Sequence, residues 1–147
     1  MSNHRRAFVR NQDGSVILET ALMITVLLIL TFGMVDFGRV MYTSNSLISA
    51  AREGARAGSV QTTVNTTTIK ATVRSRFNSF TFGGDTLTDG AITVTDNSAS
   101  SPPSIKVLIT YTFKWITPMA RLMGWTSGST FTSTLHSQAE YRYEGGT

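Results

Sequence analysis

Cysteine is absent from the chain, which excludes disulfides, thiol chemistry and cysteine-bound metals. A small exported domain without covalent staples has to rest on a compact core, a long helix or contacts with other subunits. Histidine occurs only as His4 and His136, one in the polar N-terminal tail and one near the C-terminus, so the two cannot form a cluster. Glycine-rich phosphate loops, nucleophile elbows and H-E-x-x-H helices are missing, and nothing places a base beside any serine. Asp85 and Asp89 flank a turn, but a calcium loop needs more oxygen ligands at closer spacing. The sequence therefore predicts a protein that is not an enzyme and that takes no metal and no cofactor.

The most informative absence is of charge. From Thr20 to Val35 no residue is ionisable, and the stretch is mostly Leu, Ile, Val, Met, Ala and Phe with scattered Thr. Counted from Val16, this run reaches the ~20 residues that a helix needs to cross ~30 Å of hydrocarbon. Arg5, Arg6 and Arg10 lie on its N-terminal side, so the tail is expected in the cytoplasm and the bulk of the chain outside it. The leader through Gly14 holds those three arginines and Asp13, which is half of the net charge of +4. A topology signal thus accounts for much of the calculated pI of 9.9, and nucleic acid is not an expected partner. A cleaved secretory signal fits less well: its apolar core runs ~7–15 residues to a small-residue cleavage site. Here the run is longer and continues into Phe32-Gly33-Met34-Val35-Asp36-Phe37, without such a site.

Glu19 stands at the start of the apolar run. A carboxylate at the bilayer centre costs on the order of 2.5–3.5 kcal/mol and less near the interface, so it requires a partner or a route to water. It either snorkels to the headgroups or caps the helix N-terminus, or it pairs with a cation from another molecule. Gly14 followed by Glu19, after a short basic leader and before an apolar helix, resembles the class III signal of type IV pilin-like proteins. The resemblance implies cutting by a prepilin peptidase between Gly14 and Ser15, with Glu19 as the acid at mature position five. Glycine before the scissile bond lets the backbone enter a tight site without a Cβ. The new amine on Ser15 is the obvious counter-charge for a lipid-buried carboxylate. In that family the amine and acid of neighbouring subunits are thought to pair, which gives Glu19 a role in assembly.

The helix is expected to begin near Ser15 and to continue well past the apolar run, to about Gly58. No proline interrupts it, and Gly33 and Gly38 are the positions where it would bend. Asp36 and Arg39, at i and i+3, face one side. Ala50, Gly54 and Gly58 recur every fourth residue and form a groove of small side chains. That groove admits either a strand or helix of the same domain or a neighbouring subunit. Arg52 and Arg56 flank it, with Glu53 three residues before Arg56, as a solvated edge or as a pairing surface for the sheet or a neighbour. The run Ala51-Arg52-Glu53-Gly54-Ala55-Arg56, following Asp36-Phe37-Gly38-Arg39 and Tyr42, resembles TadE-like proteins of the bacterial tight-adherence (Tad, or Flp) pilus. The detailed resemblance covers Gly14 to Gly58. It implies a minor pilin or pseudopilin whose partners are inner-membrane lipid, the prepilin peptidase, other Tad pilus subunits and the Tad assembly platform. It also implies residence in the bacterial inner membrane or incorporation into an extracellular pilus. The competing reading is an uncleaved single-pass anchor that presents an envelope or host-surface binding domain.

Beyond Gly58 a polar loop leads to Asn65, Thr66 or Thr67 as the cap of a second helix reaching Phe77 or Phe80. Ile69, Val73, Phe77 and Phe80 give it an apolar stripe opposite Lys70, Arg74 and Arg76. Gly83-Gly84-Asp85 and Asp89-Gly90 are turn signals. Strands are expected over Ala91–Thr95, over Ile105–Trp115 with its strict alternation broken only by Leu108, and over Thr130–Glu144. Pro118–Met123 reads as one helical turn closed by Gly124. The organisation is a basic leader (1–14), a transmembrane helix (15–36) and an extracytoplasmic α+β domain (37–147). The fold expected is α+β and pilin-like: a long N-terminal helix against a small antiparallel sheet of about three strands, with a second shorter helix.

Overall fold

The computed structural model describes residues 12–77, 86–115 and 132–143. The leader with Arg5, Arg6 and Arg10, the turn at 83–85, Phe80 and the expected turn at 118–124 lie outside the described residues. Helix α1 runs from Gln12 to Ser59, starting three residues before the expected Ser15 and ending one beyond Gly58. At 1.5 Å per residue its 48 residues span about 72 Å. It is unbroken at Gly33 and Gly38, and an added Cβ at either position meets nothing within 4 Å.

Helix α2 (Thr66–Arg76) starts where sequence chemistry places it. The Asn65 side chain accepts from the N–H groups of Thr67 (3.1 Å) and Thr68 (3.3 Å), satisfying two donors that the first turn leaves open. Ile69 and Val73 bury its apolar stripe, and Phe77 is half-buried with its ring 5.2 Å from that of Tyr111. On the polar side, Arg74 pairs with Asp89 (3.0 Å) and Lys70 donates to the Asp89 carbonyl (3.1 Å). Both ties hold the short 3-10 turn Asp89–Ala91 against α2.

Three strands, β1 (Ile92–Asn97), β2 (Ser104–Lys114) and β3 (Thr132–Arg142), form an antiparallel sheet in the order β1-β2-β3. The chain is thus α+β, with a long N-terminal helix, a second short helix and the three-stranded sheet that the alternation predicted. Ile105, Val107, Ile109, Tyr111 and Phe113 are buried on the helix-facing side of β2, while Lys106, Thr110, Thr112 and Lys114 lie on the other. Leu108, the exception in the pattern, sits half-buried on the outer face opposite Thr93 and Gln138. The core is closed by Leu47, Ala50, Ala51 and Ala55 of α1, by α2, and by Leu87 and Ile92.

The helix and the sheet are nearly aligned. Arg39 lies over Phe113, Gly54 beside Val107 and Gly58 beside Ile105, so α1 ascends as β2 descends. Nineteen residues of helix advance about 28 Å and eight residues of strand about 27 Å, which leaves little room for a crossing angle. Helix α1 therefore runs antiparallel to β2 and in the same direction as β3. At the far end, the Tyr143 hydroxyl donates to the carbonyls of Gln61 and Thr62, closing the loop between the helices onto the end of β3.

Candidate functional site

Helix α1 has two halves with different surroundings. From Val16 to Val35 every large apolar side chain except the half-buried Ile29 is exposed. Each would gain about 1.5–3 kcal/mol from full transfer out of water, so water is not the solvent this surface is built for. Thr20, Thr25 and Thr31 are the polar side chains between residues 20 and 35. Each donates its hydroxyl to the carbonyl four residues back, at 2.8 Å: Val16, Ala21 and Leu27 respectively. A helix whose side-chain donors are satisfied internally is what hydrocarbon demands. By length and composition α1 can cross a membrane, and its most apolar window is wholly uncovered by the rest of the chain.

Burial begins at Asp36. Its side chain and that of Arg39 form an ion pair at 2.9 Å, with the two residues 1% and 4% exposed. The Arg39 guanidinium stands 4.9 Å over the ring of Phe113, and Phe113 meets Trp115 edge-on at 5.4 Å. The charges sit where the bare half of α1 joins the domain, beside the end of β2. The i, i+3 spacing places the two charges on one side of the helix, and there they pair. The aromatic lid was not legible, because the register of helix on sheet is set by three-dimensional packing.

The small-residue face is filled from within the chain. A Cβ on Gly54 would lie 2.3 Å from Val73 Cγ2. One on Gly58 would lie 2.9 Å from Ile69 Cδ1 and 3.1 Å from Ile105 Cγ2. Ala50 is fully buried in the same core. Of the two occupants the sequence left open, the domain's own α2 and β2 hold this groove, so Ala50, Gly54 and Gly58 do not present a surface to another subunit. Arg52 and Arg56 are exposed and Glu53 is half-buried, with no Glu53–Arg56 ion pair among the described residues. Gly38 and Tyr42 lie on the outer side of α1. There, Phe37, Met41 and Ile48 remain exposed, extending an apolar stripe about 18 Å past Asp36.

At the N-terminal end Gly14, Ser15 and Glu19 are all exposed. An added Cβ at Gly14 meets nothing within 4 Å, so no contact within the chain calls for glycine there. Glu19 is seven residues beyond the first residue of α1, too deep to cap it, and it makes no ion pair among the described residues. Gly14 and Ser15 lie within the first turn, so access to the bond between them requires that turn to fray. Among the described residues no group of three or more His, Asp or Glu could hold a metal ion.

An α+β domain carried on one long helix, with the helix's apolar half uncovered, defines the class: a domain on a candidate single-pass membrane anchor. Residues 14–56, under a third of the chain and all within α1, match the model of the family described as TadE-like protein. The match runs from the first turn through the bare helix, the buried ion pair and the glycine that α2 packs against. Comparisons with curated proteins and with solved structures return no match.

Proposed function

We propose that this protein is a minor pilin or pseudopilin that takes part in assembling a Tad/Flp-type adhesive pilus. The observation that carries the reading is the uncovered apolar half of α1, collinear with the domain and lying inside the TadE-like match. In this reading the chain sits in the bacterial inner membrane with its basic leader in the cytoplasm and its domain outside. A prepilin peptidase cuts between Gly14 and Ser15, and the helix then joins the pilus or the platform that builds it. Glu19, without a partner in its own chain among the described residues, is neutralised by the amine of a neighbouring subunit's Ser15.

The test is Glu19→Ala in the native host, followed in membrane and sheared-pilus fractions. The reading expects unchanged membrane insertion and at least a tenfold loss of assembled pili. Normal piliation with Glu19→Ala would overturn the role given to the acid. A second reading, an uncleaved anchor presenting a binding domain, draws on the helical state of the Gly14–Ser15 bond. It predicts a chain that keeps its leader.

A further inference from the structure

Past the bare half of α1, the two sides of the helix change character at different heights. On the domain side burial is complete from Asp36 onward, at Asp36, Arg39, Thr43 and Leu47. On the opposite side Phe37 (62% exposed), Met41 (47%) and Ile48 (37%) stay open, in line with Leu30 and Met34 of the bare half. Standing at i, i+4 and i+11, these three share one face with Arg52 at i+15, and Arg56 follows a turn later. Both arginines are exposed and make no ion pair among the described residues. Glu53, the one acid of α1 beyond Asp36, is half-buried and sits about 100° around the helix from Arg52. Leading away from the bare half, this face is therefore apolar, then basic, and free of acid.

The uneven ending of the apolar surface has a geometric meaning. A helix about 10 Å wide that leaves a flat boundary at a tilt leaves it later on its under side, by about 10 Å times the tangent of the tilt. Burial on one side starts at Asp36 and the other side stays well exposed to Met41, an offset of about 7.5 Å and a tilt of about 37°. Membrane helices tilt by ~0–40°. The domain then rides on the upper side of α1, clear of the bilayer. Ile48 lies about 8 Å above the hydrocarbon and Arg52 about 13 Å above it. The headgroup layer is ~5–7 Å deep, and long arginine side chains reach back down to it.

We infer that the outer face of α1 from Phe37 to Arg56 docks on the surface of the membrane that α1 crosses. Phe37 and Met41 enter the acyl layer, and Arg52 and Arg56 meet anionic phospholipid headgroups. The stripe continues the lipid-facing surface of the bare half without a step, so the same surroundings cover both. The order of charge agrees, since basic side chains are drawn to an anionic leaflet within a Debye length of ~8 Å. A second copy set on this face about a two-fold along α1 brings each arginine against its own equivalent, with no acid to receive it. The inference rests on the membrane anchor and not on the pilus reading.

The chain has no cysteine, so a fluorophore can be placed at Ile48→Cys or, as a control, at Thr93→Cys, which is exposed on the far face of the sheet. The labelled full chain is reconstituted at a single copy per vesicle in phosphatidylcholine with or without phosphatidylglycerol, part of the lipid carrying a nitroxide on its headgroup. In anionic vesicles the label at 48 should be quenched at least fivefold more than the label at 93. One basic residue near an anionic surface shifts such an equilibrium about fivefold. Arg52→Gln with Arg56→Gln should thus lower the docked-to-undocked ratio at least fivefold with unchanged circular dichroism, as should removing phosphatidylglycerol. Equal quenching at 48 and 93, in a chain that stays in the vesicles through an alkaline wash, would overturn the docking and leave the anchor standing. Release by that wash would remove both. Quenching indifferent to the arginines and to lipid charge would refute the headgroup contact. Cross-linking of two copies through Ile48→Cys at higher protein density, with loss of quenching, would make a second copy the occupant and end the proposal.

Discussion

Replacing Gly54 by alanine opposes two effects of known size. Intrinsic helix propensity favours alanine by about 0.8–1 kcal/mol. Packing disfavours it, because the new methyl group would lie 2.3 Å from Val73 Cγ2, where contacts between carbons settle near 3.5–4.0 Å. The obstacle is a β-branched side chain with essentially one rotamer in a helix, so the two helices have to separate by more than an ångström. Overpacking of this kind costs about 1–3 kcal/mol, which leaves Gly54→Ala destabilised by up to about 2 kcal/mol. Val73→Ala alone loses two buried methyl groups, about 2 kcal/mol or somewhat more with the cavity. In the double variant the methyl at 54 occupies the space vacated at 73. It should therefore be more stable than the sum of the singles by about 1–3 kcal/mol. Thermal unfolding of the full chain in detergent, followed by tryptophan fluorescence, measures the cycle. A stabilised Gly54→Ala with no coupling to Val73 would refute the close approach of α1 and α2.

Gly38→Ala is the control, since its Cβ meets open space; propensity should prevail and stability should rise by up to about 1 kcal/mol in the same assay. Asp36→Leu or Arg39→Met alone should cost about 3–5 kcal/mol by stranding a buried charge, while the double change should recover most of that loss. Removing the α2 cap with Asn65→Ala should lower stability by about 0.5–2 kcal/mol, read as the shift in denaturation midpoint. Tyr143→Phe deletes the tie to Gln61 and should cost about 0.5–1.5 kcal/mol, with faster hydrogen exchange at the start of the loop after α1.

Local chemistry made much of the fold legible. Alternation from Ile105 to Trp115 fixed which side of β2 is buried, because strand side chains alternate strictly and the inward set is apolar. Asn65 is among the three cap candidates for α2, and the boundaries of β1 and β3 differ from those expected by at most two residues at either end. What stayed hidden depends on how elements meet. The spacing of Ala50, Gly54 and Gly58 marks a groove but says nothing of its occupant, since Val73 and a foreign side chain impose the same demand for small residues. Phe113 over Arg39 and Tyr143 on Gln61 join positions distant in the chain, and neither leaves a local signal. Gly33 and Gly38 show the reverse: propensity permits a bend, and the helix continues unbroken through both.

The membrane-subunit account turns on what happens at the first turn of α1. Intact-mass spectrometry of the protein extracted from its native membrane is the most direct check. The account predicts a mature chain beginning at Ser15, and retention of the leader when Gly14 is replaced by a bulky residue such as leucine. A native chain that still carries Arg5, Arg6 and Arg10 would contradict it.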